Sequence, residues 1–126
     1  VTIPSLYNGL LHVFDNFYLD GMKYRSADTI INHFNSFSSN YKADFTPLEP
    51  MINWLASIQK DEEESIKLYK FYMEHYPNSL NPHFKLASIY EKNLQKNKAL
   101  EMYKNILKID TSNIEASEKL IELKSN

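Results

Sequence analysis

The stretch NPHFKLASIYEKNLQKNKALEMYKNILKIDTSN, residues 81–113, reads as two short helices around a turn. Leu86, Ala87 and Tyr90 recur at helical spacing in the first half, and Ala99 and Tyr103 in the second. Small residues at a crossing let two antiparallel helices approach, and large ones fill the space beside it. A shift of 34 residues toward the N-terminus finds a weaker copy: Ile52 under Leu86, Tyr69 under Tyr103 and Pro77 under Thr111. The same shift forward sets Ile114 under Leu80 and Leu120 under Leu86. A fixed period of this length, carried by helix pairs, is the mark of a helical repeat.

The rest of the chain fits an all-α class of about seven helices in antiparallel pairs. Residues 1–20 give an amphipathic helix with Pro4 in its first turn and Leu6, Leu10, Phe14 and Phe17 on one face. Residues 26–41 give a second, with Ser26 as N-cap, Asp28 in its first turn, and Ile30, Ile31, Phe34, Phe37 and Tyr41 as its stripe. The serines and asparagines between Asn35 and Asn40 predict fraying at its end. The Pro-containing linker KADFTPLEP follows, and Thr46 is favoured over Glu49 as the start of the third helix, which runs to about Gln59. Asp61 and Glu64 form a capping box for a fourth helix that Tyr76-Pro77-Asn78-Ser79 stops. Asn81 caps the next helix, and Ser112 with Glu115 forms a box for the last. The expected organisation is one helical module over residues 1–126. It comprises an N-terminal part (1–45), a degenerate repeat (46–79), a well-formed repeat (80–113) and a capping helix (114–126) whose outer face carries Glu115, Glu118, Lys119 and Glu122. One good repeat and one poor one fall short of the usual three, so the N-terminal helices must supply the missing burial.

Composition narrows the function classes. Hydrophobic residues are 43 % and charged residues 24 %, the balance of an ordinary soluble globular chain. A net charge of −2 without a basic block gives no electrostatic term for nucleic acid, and no apolar run is long enough to span a membrane. Cysteine is absent, which removes disulfides and thiolate metal sites. Gly9 and Gly21 are the only glycines and frame neither a nucleophile elbow nor a phosphate-binding loop. His12, His33, His75 and His83 lack the spacing of a helical zinc site, and the acidic run Asp61–Glu64 opens a helix, where its charge suits the dipole. No catalytic residue, metal or cofactor is therefore expected in this chain.

Residues 80–113 resemble a tetratricopeptide repeat, with Leu86, Ala87, Tyr90, Ala99 and Tyr103 at the family's packing positions. They depart from it at His83, Ile106 and Thr111, where the family has an aromatic, a small residue and proline. The earlier copy departs further, at Asn53, Ala56 and Ser65. The resemblance implies a right-handed helical repeat closed by a C-terminal capping helix. Pro4 to Leu10, Phe14, Pro47 to Asn53 and Tyr76 to Ser79 extend the likeness. In this order they are similar to the repeat-bearing C-terminal tail of enterochelin-esterase-like serine hydrolases of the α/β-hydrolase superfamily. That implies a non-catalytic module for docking, stability or assembly, cut from a longer chain whose upstream hydrolase domain is its first partner. Leu6, Leu10, Phe14 and Phe17 are then the candidate docking face. A stand-alone adaptor that binds a peptide or protein, or itself, is the alternative; an independent enzyme is the least supported. Bacterial cytoplasm and periplasm are both compatible with the chain.

Overall fold

The computed structural model describes residues 26–41 and 47–126. Every regular element among them is a helix: α1 (Ala27–Tyr41), α2 (Glu49–Ser57), α3 (Glu62–His75), α4 (Asn81–Lys92), α5 (Lys96–Ile109) and α6 (Ile114–Ser125). The helix expected over residues 1–20, with its face of Leu6, Leu10, Phe14 and Phe17, lies outside the described residues.

Neighbours in sequence are neighbours in space from α2 onward: α2 packs on α3, α3 on α4, α4 on α5 and α5 on α6, while α1 lies against α3. One continuous apolar core links all six helices. Ile30 and Phe34 enter it from α1, Ile52 and Leu55 from α2, and Leu68, Tyr69 and Phe71 from α3. Leu86 and Ala87 come from α4, Tyr103 and Ile106 from α5, and Ala116 and Leu120 from α6. The ring of Phe34 stacks on that of Phe71, with centroids 6.4 Å apart, and so seats α1. Phe84 meets the edge of Tyr103 across the α4–α5 pair.

The helix ends show where local pattern and structure part. The Ser26 hydroxyl accepts the Thr29 N–H at 3.2 Å, the N-cap its position called for. α1 runs on to Tyr41 through its serine- and asparagine-rich end, where fraying was expected. α2 begins at Glu49, not near Thr46, which lies outside the described residues. The reason is that Pro47 is fully buried and its carbonyl accepts the Tyr76 hydroxyl at 2.8 Å, which leaves Leu48 extended as the residue before the helix. Asp61 does cap α3, accepting the Glu63 N–H at 2.9 Å. Glu64 does not complete the box: its carboxylate accepts the N–H of Ala27, at the start of α1. A carboxylate placed at another helix's N-terminus neutralises an orphan donor and the dipole there. Asn81 is the first residue of α4 rather than its cap, because Leu80 is already helical and its carbonyl accepts the Phe84 N–H. The cap of α6 is Asn113, one residue beyond Ser112; its side chain accepts the Ala116 N–H at 3.0 Å. Ser112 instead donates both its N–H and its hydroxyl to Asp110, in a turn that places Asn113.

Candidate functional site

A groove of about 460 Å³ is framed by three helices. Lys70, Met73 and Glu74 of α3 form one wall, Lys98, Glu101, Met102 and Asn105 of α5 the other, and Tyr90 of α4 contributes between them. Met102 and Tyr90 are buried and Met73 half-buried, so the apolar lining is the visible edge of the core. The Lys98 ammonium sits 5.4 Å from the centre of the Tyr90 ring, within cation–π range. Burial first, and the nearby Glu101 carboxylate second, push the Tyr90 hydroxyl above its ordinary range and keep it protonated at neutral pH. The two walls carry charges of both signs on flexible stems over a methionine-containing lining, a surface that can adapt to an apolar side chain.

The sequence singled out none of Lys70, Glu74, Lys98, Glu101 or Asn105. These residues have no shared period. They meet because α3 and α5 both pack on α4, and pairwise helix spacing carries no record of that.

Leu86, Ala87, Tyr90, Ala99 and Tyr103 are all buried where α4 meets α5. Tyr103 also fastens this pair to α6: its hydroxyl donates to Glu91, whose second oxygen accepts from Lys119 at 3.3 Å. Burial and the Glu91 carboxylate raise the Tyr103 hydroxyl far above its ordinary value, so it remains a donor. Asn53 is half-buried with its Oδ1 left without a hydrogen-bond partner, while Lys85 and Ser88 are exposed. His83 is buried, its Nδ1 has no partner, and burial holds the imidazole below its usual pKa. The His75 ring lies tilted at 46° against that of Phe71, and its Nδ1 pairs with the Phe71 carbonyl at 3.0 Å, an intrahelical arrangement.

Among the described residues, no group of three or more His, Asp or Glu side chains is placed to hold a metal ion. None of the described helices is long and apolar enough to cross a membrane. The chain matches no family model and no curated protein.

Proposed function

We propose that this chain is a non-catalytic helical module of the tetratricopeptide type, serving docking or assembly for a larger protein. The observation that carries the reading is the α4–α5 crossing. Ala87 and Ala99 are both wholly buried there, 34 residues beyond Asn53 and Ser65 of the preceding pair, and α6 begins a third unit on the same period. In this reading the units stack with a right-handed turn and α6 closes the array. The larger protein is an esterase-like serine hydrolase, on the strength of Pro4 to Leu10, Phe14, Pro47 to Asn53 and Tyr76 to Ser79. The gene settles that part directly: a G-x-S-x-G motif upstream and a histidine just before Val1 are expected, and an upstream region lacking both ends the hydrolase reading.

The groove between α3 and α5 favours a second reading, a free-standing adaptor that takes a partner's apolar side chain over Met73 and Met102. Met73→Glu would then abolish capture of that partner. Under the hydrolase reading the same change leaves esterase turnover of the whole protein intact.

A further inference from the structure

α6 is only half covered. Ala116 is wholly buried and Leu120 nearly so, and Lys119 is tied to Glu91 on that same side. At 100° per residue, Ile114 and Ile121 fall on the opposite side of the helix, two turns and about 10 Å apart. They are 73 % and 70 % exposed, and no charged neighbour separates them except Glu118. The preceding unit shows what this side of the helix is for. α4 lies between α3 and α5 and buries two adjacent residues, Leu86 and Ala87, both at 0 %. The matching pair in α6 is Leu120 and Ile121; the first is covered by α5, the second by nothing described.

We propose that the Ile114–Ile121 side of α6 seats a basic amphipathic helix of a partner protein, in the place α5 occupies beside α4. Charge decides the occupant. Glu115, Glu118 and Glu122 are exposed along one flank of the isoleucine pair, where three carboxylates share the one ammonium of Lys119, 3.8 Å from Glu122 and close enough to Glu115 to feel its charge. A second copy of this chain docked by two-fold symmetry about the midpoint of Ile114 and Ile121 brings Glu118 toward its own equivalent, which is repulsive. A helix with lysines beside its apolar stripe meets the same flank favourably. α5 is such a helix, with Lys96, Lys98, Lys104 and Lys108 against the single acid Glu101.

The inference uses the repeat correspondence above to match Ile121 with Ala87. Its test is independent of whether a hydrolase lies upstream. A fluorescent peptide of residues 96–109 is titrated into the whole chain and followed by anisotropy. Saturable binding is expected, weakened about tenfold by Ile121→Asp and severalfold by Glu118→Lys, and weakened by added salt. Ile121 is exposed, so its replacement should leave the helical circular dichroism unchanged, and that spectrum is the control. The proposal is overturned if the peptide fails to bind, or if Ile121→Asp has no effect on binding. It is equally overturned if a peptide with its four lysines changed to glutamate binds as well. Sedimentation showing a dimer that Ile121→Asp splits would assign the surface to a second copy and overturn it too.

Discussion

The α2–α3 pair and the α4–α5 pair solve one problem in two ways. Each first helix must end with its last carbonyls satisfied before the chain turns back. In α4 the backbone does it. The Gln95 N–H donates to the Tyr90 carbonyl at 2.8 Å and the Leu94 N–H to that of Glu91 at 3.0 Å. That is a Schellman motif, and it places Leu94 at φ 57°. In α2 side chains do it. Gln59 donates to the Leu55 carbonyl at 3.0 Å, and Ser65, reaching over from α3, donates to that of Ala56 at 2.7 Å. Ala56 and Ser65 are the counterparts, 34 residues earlier, of Tyr90 and Ala99. Serine at 65 thus stands opposite alanine at 99. In the structure it is the donor that the backbone provides in the next unit, and because Gln95 provides it there, position 99 is free to be alanine. The difference between serine at 65 and alanine at 99 thus goes with a difference in helix ending several residues away.

The comparison can be tested first at its shared base. Leu86 and its counterpart Ile52 are both almost wholly buried in the one core. Leu86→Ala and Ile52→Ala should each cost about 3 kcal/mol, and urea should unfold either variant in a single transition. Two separate transitions would show that the pairs are independent units. The next largest effect falls on the capping difference. Ser65→Ala strands the buried Ala56 carbonyl and should cost about 1–3 kcal/mol in chemical denaturation. Ala99→Ser, at the matching position, should bring no gain, because the Tyr90 carbonyl is already engaged; equal behaviour at the two sites would break the contrast.

Leu94 offers a smaller effect of opposite sign. It is 90 % exposed, so its side chain contributes little packing, while its left-handed backbone carries a steric cost that glycine avoids. Leu94→Gly should therefore raise stability by about 1 kcal/mol, visible as a higher urea midpoint. No such gain exists to be found in the first pair, where side chains satisfy the carbonyls.

The smallest effect is one of pH. His83 in α4 is held neutral by burial, with its folded-state pKa below the ordinary value of 6.5. The unfolded chain then binds the proton more readily. This contribution is fully present above the unfolded pKa and is lost as pH falls from there toward the folded one. Stability should decline as pH falls through the unfolded value of about 6.5, and His83→Phe should flatten that decline in denaturation curves taken on either side of it. The matching position in α2 is Glu49, whose carboxylate accepts the Tyr72 hydroxyl at 3.1 Å, so the first pair has no imidazole to protonate there.

Much of the helical layout was legible because it is local. The i, i+1, i+4 spacing of Leu86, Ala87 and Tyr90 sets a helix and its buried side within two turns of chain, and Ser26 and Asp61 announce their helices by the donors next to them. Glu64 shows where such reading stops. Its spacing from Asp61 matches a capping box, yet its carboxylate goes to Ala27, 37 residues away. Local geometry permits both arrangements, and the packing of α1 on α3 selects one. The groove among Lys70, Met73, Tyr90 and Lys98 was hidden for the same reason, since three helices must first be stacked for those residues to meet.

The sequence by itself determined the helical class and, within residues 81–113, the identity of the residues at the α4–α5 crossing. Each of these depends on side-chain size and on spacing within a few turns. Only the tertiary structure decided which distant group satisfies each helix end, that α2 starts at Glu49 rather than at Thr46, and that Ile121 stands uncovered where Ala87 is enclosed. Those outcomes depend on which surfaces come together. Matching positions in α4 and α6 carry different burial because one helix has neighbours on both sides and the other, among the described residues, on one.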